Sequence, residues 1–419
     1  MIKRSFIGLT KPRLQYNLVP DAVQELPVPS EVVLLLEDCG GRGNGLKVGD
    51  SVKTGQRLSA SPDSEAYVVS TVTGTISATA PYVGAGGQSG TAITIDASGQ
   101  DDWDDGFKKE QTLDTALKFF ESGPGSPSFK AFADPEKEIR TIVVNGMDED
   151  LLLTANQHVV QNEAAEIKDG VDALKKMTGV DRIILAVPPG LVQQAGTTGA
   201  DVQTVSADYP GSLPHMIMKD VLGQVVPAGD TLEDAGVVFM SAEAVAAVGA
   251  SFKNGQLRIT KVVTVVGKDG SSTNVRVRIG TPLKDVLGAC NITVNERDSL
   301  ILGGPMRGKA TYSEELSVEP DTDGIVVQDE ANSAQVTDYP CINCGECVRI
   351  CPVKVPVNML VRFLEAKLYE DARGLYDLDS CIECGLCSYV CVARIPIFQY
   401  IKLGKYELSL METAEAANE

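Results

Sequence analysis

Two cysteine runs constrain this chain more than anything else in it. The first reads Cys341-x-x-Cys344-x-x-Cys347-x-x-x-Cys351-Pro352 and the second Cys381-x-x-Cys384-x-x-Cys387-x-x-x-Cys391. In this spacing three neighbouring thiolates bind three irons of one [4Fe–4S] cluster, and the fourth cysteine of the run ligates the other cluster. The expected ligand sets are therefore crossed. Cys341, Cys344, Cys347 and Cys391 hold one cluster, and Cys381, Cys384, Cys387 and Cys351 hold the second. Structural zinc takes four closed ligands, usually from two knuckles, and a run with four cysteines of its own fits that poorly. So many disulfides within such short runs are sterically unfavourable, and nothing in the sequence marks secretion.

Between the runs Val357, Leu360, Val361, Leu364 and Leu368 recur at helical spacing, which predicts a helix packed beneath the clusters, with Gly374 as its stop signal. Ile342, Gly345, Ile350, Ile382, Gly385 and Leu386 are small or apolar, suited to shielding a cluster while leaving backbone N–H groups free for its sulfurs.

A length of 419 residues implies three or four domains, so the cysteine lobe is an appendage to something larger. The net charge of −20, with 57 acidic against 37 basic residues, argues against a nucleic-acid surface and against unaided docking on anionic lipid. No leader-like apolar core and no run of apolar residues long enough to span a bilayer is visible, so a cytoplasmic chain is expected.

In chain order, residues 1–30 carry Lys3, Arg4, Lys11, Arg13 and several prolines, and read as an extended arm or strap. Leu46–Leu58 and Val72–Ser77 alternate apolar and polar residues about Gly-containing turns, as paired hairpins do. The stretches Gly40–Gly45 and Gly84–Gly90 do not lead from a strand into a helix and read as turns rather than phosphate loops. Residues 96–108 read as a linker. From Thr141 the pattern becomes α/β: Ile142–Val144, a helical stripe through Ala164, Ile167, Val171 and Leu174, then Ile183–Val187, which is a βαβ unit. Further helices are expected at 214–222, 241–249 and 282–289, and strands at 202–205, 236–240, 261–266 and 274–279. His158 and His215, the only two histidines, read as packing or surface residues, and Cys39 and Cys290 as buried thiols.

This order of parts, with Arg278-Ile-Gly-Thr-Pro282, Gly303-Gly-Pro-Met-Arg-Gly308 and Ile395-Pro-Ile-Phe-Gln-Tyr400, resembles the RnfC component of the Rnf electron-transport complex over nearly the whole chain. It is also similar to a cobalamin-reductase relative of bacterial microcompartments. The resemblance implies a multidomain α/β plus α+β fold. Its expected divisions are an arm (1–30), a lipoyl-like barrel-sandwich hybrid (31–100) and an α/β domain like the flavin subunit of respiratory complex I (115–255). A β-grasp domain (256–312), an acidic linker (313–337), a dicluster ferredoxin domain (338–403) and a tail (404–419) follow.

The resemblance also implies FMN and NAD(H) in the α/β domain. Ser122–Lys130 stands where the family has a Gly-rich FMN loop, but two prolines occupy positions whose amides could donate, and the double glycine is absent. Asn145–Thr154 keeps Asn145 and Thr154 of a second family element, with Asp148 and Asp150 where glutamates are usual. Tyr209–Ile217 replaces the acid and base of a third with Pro214 and His215. Asn145, Asp148 and Glu149 are the flavin candidates that survive, and no catalytic acid or base is assigned. The implied role is one-electron relay on the cytoplasmic face of the plasma membrane, with the other Rnf subunits and a ferredoxin or cytochrome as partners. The alternatives are a stand-alone NADH-dependent reductase like the cobalamin-reductase relative, and a subunit whose clusters only brace the fold.

Overall fold

A computed structural model describes residues 13–17, 22–37, 46–59, 66–83, 89–311, 313–333 and 335–416. Cys39, the Gly40–Gly45 turn, residues 84–88 of the second Gly-rich stretch and the start of the arm lie outside the described residues.

The first sheet is antiparallel, in the order Glu31–Glu37, Ser89–Ala97, Gly74–Val83, Ser51–Val52, with a small ladder of Arg57–Leu58 and Val68–Val69 beside it. Alternate residues point to one side. Val32, Leu34 and Leu36 therefore meet Val52, Ile76, Ile93 and Ile95 in a single core. The stretch expected as a linker at 96–108 is pinned. Thr54 exchanges backbone hydrogen bonds with Asp102 and Asp104, and Phe107 is buried against Phe120 and Phe252.

The second sheet is parallel, in the order Asp201–Thr204, Ile183–Val187, Thr141–Asn145, Val237–Ser241. Strands 141–145 and 183–187 are buried along their whole length, as a parallel sheet covered on both faces requires. Ile142, Val144, Ile183, Leu185 and Val187 face the helices Ala155–Asn162, Ala164–Thr178 and Ala242–Asn254. Val143, Ile184 and Ala186 face the other way, into a core that takes in helix Pro214–Asp220, Tyr16 of the arm, and Ile350, Ile382, Cys384 and Leu386 of the cysteine lobe. The lobe thus packs on the sheet where a crossover helix would ordinarily sit.

The third sheet has six strands, in the order Val23–Glu25, Ser272–Arg278, Thr260–Val266, Gly324–Gln328, Ser299–Leu302, Lys309–Thr311, with helix Leu283–Ala289 against its core. Two sequence expectations change here. Residues 313–337 are not a linker throughout, because Gly324–Gln328 is an interior strand whose short apolar run is hidden among acidic neighbours. Residues 1–30 are not a free arm where described: Val23–Glu25 is an edge strand, and Tyr16 is buried, with its amide donating to the carbonyl of Ala207.

In the cysteine lobe, helix Val357–Glu365 buries Val357, Leu360, Val361 and Leu364. Leu368 lies past its end and is exposed, since Lys367 adopts a left-handed conformation that turns the chain. Gly374 sits inside the next helix, Tyr369–Tyr376, and left-handed Asp377 is the actual stop. The tail expected from 404 continues helix Ile397–Ala416, anchored by the buried Ile401 and Leu408. Among the described residues no helix is long and apolar enough to cross a membrane.

Candidate metal centres

The eight cysteines of the two runs line two chambers, four to each. Cys341, Cys344, Cys347 and Cys391 surround one of about 370 Å³, closed by Gly345, Val361 and Ile395 among others. Cys351, Cys381, Cys384 and Cys387 surround the other, of about 360 Å³, closed by Val355, Val357, Leu386 and Phe398. The last cysteine of each run thus stands with the first three of the opposite run. The lining is apolar, so a cluster held there is shielded on its carbon-facing sides.

The two halves repeat each other at an interval of 40 residues, down to backbone conformation. Asn343, Gly345 and Lys354 have positive φ, and so do Glu383, Gly385 and Arg394. Left-handed residues at these places bend the chain so that successive amides face inward, the geometry of an anion-binding nest. The amides of Glu383, Leu386 and Ser388 donate to the sulfurs of Cys381, Cys384 and Cys387, and that of Val348 to Cys347. Such bonds to sulfur are a principal lever on cluster potential.

Burial pushes the Cys347 thiol up to about 11 and the Cys384 thiol up to about 12, and raises Cys381 and Cys387 as well. Four sulfurs that resist ionisation in one apolar chamber cost free energy unless a cation offsets their charge, and a coordinating metal deprotonates a thiol outright. Among the described residues, no three His, Cys, Asp or Glu side chains converge as a mononuclear ion requires. The cysteines stand round a space instead. That donor set, with amides aimed at its sulfurs, fits a cubane cluster better than zinc.

The two chambers differ in what lies outside them. The 351/381/384/387 chamber is the inner one. Tyr209 donates its hydroxyl hydrogen to the carbonyl of Cys384 (2.7 Å), Tyr16 packs on Tyr209 with ring centres 5.5 Å apart, and Lys405 donates to the carbonyl of Cys381 and to Glu383. Burial raises the phenols of Tyr16 and Tyr209 well above their ordinary range, so both remain donors. A loop of the third sheet, Gly303–Gly308, completes the enclosure. The amides of Met306 and Arg307 donate to Asp150, the Arg307 side chain pairs with Glu149, and Lys402 donates to the Arg307 carbonyl. Nothing in the sequence links Tyr209 to a cysteine 175 positions away; only packing does. The 341/344/347/391 chamber is the outer one, with Cys344 exposed.

The flavin candidates are committed within the chain. Asn145 donates from its amide to the carbonyl of Ser212 and accepts from the amide of Met147. Asp148 is wholly buried and accepts from the amide of Asn156 and the side chain of Gln157, and burial lifts its carboxyl to about 6. Glu149 is paired with Arg307. In the loop expected to cradle FMN, Gly125 donates to the carbonyl of Pro320 and a Cβ there would meet Ser241 Oγ at 2.3 Å. These residues do not present free groups to a flavin, and no step is routed through one. His158 is buried in helix Ala155–Asn162, and His215 is exposed. Cys290 is half-buried, its thiol raised by burial.

Three domain families match the chain in succession: the RnfC barrel sandwich hybrid domain over residues 8–100, the Nuo51 FMN-binding domain over 121–250 and the 4Fe-4S dicluster domain over 340–395. The chain is similar to the RnfC-type component of the ion-translocating oxidoreductase complex of Rhodobacter capsulatus, with 31% identity over 52% of this chain and 44% of that protein. It is also similar to the corresponding component of the Na(+)-translocating ferredoxin:NAD(+) oxidoreductase complex of Acetobacterium woodii, with 26% identity over 75% of this chain and 76% of that one. Its counterpart in the proton-translocating ferredoxin:NAD(+) oxidoreductase complex of Clostridium ljungdahlii shares 26% identity over 85% of this chain and 83% of its own length. The chain thus spans less than half the length of the first relative and about four fifths of the other two.

Proposed function

We propose, taking as premise that this chain is an RnfC-like protein with two [4Fe–4S] clusters, that it is the peripheral electron-transfer subunit of an Rnf-type membrane complex. It relays single electrons between a soluble redox partner and the membrane subunits on the cytoplasmic face. The observation that carries this reading is the asymmetric environment of two otherwise repeated chambers, one enclosed by the α/β domain and one open at Cys344. A brace would need no such polarity. Cys341, Cys344, Cys347 and Cys391 are the proposed ligands of the outer cluster, and Cys351, Cys381, Cys384 and Cys387 those of the inner. Bound there, the clusters supply one-electron redox chemistry.

The rest is done by the chain's own residues. Inward amides stabilise charge on the sulfurs, Tyr209 and Lys405 fix the backbone of the inner ligands, and the apolar lining excludes water. No side chain is assigned to move a proton. Asn145, Asp148 and Glu149 serve the architecture of the α/β domain, so the FMN and NAD(H) of the complex sit elsewhere in the assembly or on another surface of this domain.

The test is to replace the chain in its host with a tagged full-length copy and purify solubilised membranes without oxygen. Recovery together with the membrane subunits, and loss of ferredoxin- or NADH-linked electron transfer from membranes lacking the chain, is expected. A tagged chain that fractionates alone and oxidises NADH at full rate without membranes overturns the reading in favour of the lone reductase.

A further inference from the structure

The internal repeat makes the cysteine lobe its own control, because each surface position around one chamber has a counterpart 40 residues away around the other. Position by position, the sequences run Cys341-Ile-Asn-Cys-Gly-Glu346 and Cys381-Ile-Glu-Cys-Gly-Leu386. The second stretch is covered by the rest of the chain: Ile382 is 8% exposed, the carbonyl of Cys384 accepts from Tyr209, and the face of Gly385 is met by the carbonyl of Met306. The first has the same backbone turns at Asn343 and Gly345, yet Ile342 is 65% exposed, Cys344 is exposed, and a Cβ on Gly345 would meet only the end of the Arg349 side chain. One face of a duplicated docking surface is filled from within the chain, and its twin faces outward.

Two further observations mark the outward face as a surface for another protein. Tyr339, 73% exposed, stands beside Ile342 in sequence on a segment held down by Thr337, whose amide donates to the carbonyl of Arg394, so the aromatic ring is presented from anchored backbone. The substitutions between the repeats also run in one direction. Where the filled face buries Leu386 and Phe398, the open face has Glu346 and Asn358, Glu346 paired with Arg349 and Asn358 donating to Asn343. An apolar centre with a polar rim already satisfied by itself is the anatomy of a reversible interface, whereas a surface meant for permanent burial would be apolar throughout.

We infer that Tyr339, Ile342 and the exposed backbone around Cys344 form the docking surface for a separate redox protein, which covers the outer chamber as Tyr209 and Met306 cover the inner one. The inference rests on the proposed function and names the surface that function uses. The occupant is an electron-carrying domain of another subunit, presenting an apolar patch, with hydrogen-bonding groups at its edge, to Ile342. Because the rim charges are paired within this chain, the contact is governed by shape and apolar area, and raising the ionic strength weakens it little.

The experiment uses the full chain in its complex. Ile342→Glu and Tyr339→Asp alter exposed side chains and leave both chambers lined as before, so iron content and the paramagnetic signals of both reduced clusters in the isolated chain stay at wild-type levels. In solubilised membranes, each variant should co-purify with the membrane subunits, or pass electrons to them, at least tenfold less well than the wild-type chain. Amide exchange of the wild-type chain gives a reading free of any variant: residues 338–346 should be protected in the complex relative to the isolated chain. If the wild-type chain joins the complex while both variants do so equally well and 338–346 exchange unchanged, the docking surface is wrong and the proposed function stands. If the wild-type chain does not join the complex at all, both fall.

Discussion

Asp148 shows how a residue chosen for a ligand can belong to the scaffold. Its position shortly after the strand Thr141–Asn145 fits a flavin motif, but the carboxylate is buried and accepts from the amide of Asn156 at the start of helix Ala155–Asn162. Burial raises its folded pKa from 3.8 to about 6. Between those values the folded chain holds a proton that the unfolded chain has released, so stability falls as pH rises through about 6. The account predicts that lowering the pH from 7 to 5 stabilises the wild-type chain by about 1 kcal/mol from this group, and that Asp148→Asn abolishes that increment. Urea unfolding of oxygen-free protein at the two pH values measures it; an unchanged pH dependence in the variant would contradict the assignment. The sequence could place Asp148 beside a strand end, but not tell whether its oxygens faced a cavity or a helix terminus. That is decided by residues far along the chain.

At the scale of elements, the lobe is held to the α/β domain by contacts that the repeat lets one weigh. Gly385 has φ of +71° and a Cβ there would stand 2.4 Å from the Met306 carbonyl, while Gly345 has φ of +75° and only the Arg349 guanidinium, at 3.2 Å, in the same place. An alanine meets similar backbone strain at either position, so the difference between the two variants isolates the docking contact. Gly385→Ala should lower the unfolding free energy by about 1–3 kcal/mol more than Gly345→Ala, and alter the paramagnetic signal of the inner cluster only. Equal effects in both measurements would show that the Gly303–Gly308 loop does not seat the lobe. The elements themselves were legible where their period was long or their residues chemically committed: the cysteine runs, the parallel strands at 141–145 and 183–187, the helix at 164–178. Gly324–Gln328 was not, because five residues among acids carry no period, and neither was Val23–Glu25, whose strand character comes wholly from its neighbour Ser272–Arg278.

For the molecule as a whole, the fold makes a single cooperative lobe out of two half-sites and then gives its two ends different surroundings. Crossing the fourth cysteine between chambers means that neither half can be completed without the other, and the helices Val357–Glu365 and Ile397–Ala416 close over both. Packing the lobe on the open face of the parallel sheet then encloses one chamber and leaves the other outward. The sequence held the ligands and their crossing, since spacing is local chemistry. It did not hold the inside and outside of the lobe, which depend on Tyr209, Met306 and Lys405 arriving from other parts of the chain. The most direct measurement is iron, sulfide and paramagnetic resonance on oxygen-free protein, for the wild-type chain and for Cys391→Ala. Two clusters, about eight irons per chain, are predicted, with Cys391→Ala losing the signal of the outer cluster that the first run holds. One cluster or none in the wild-type chain, or loss of the inner cluster alone in the variant, would contradict the account.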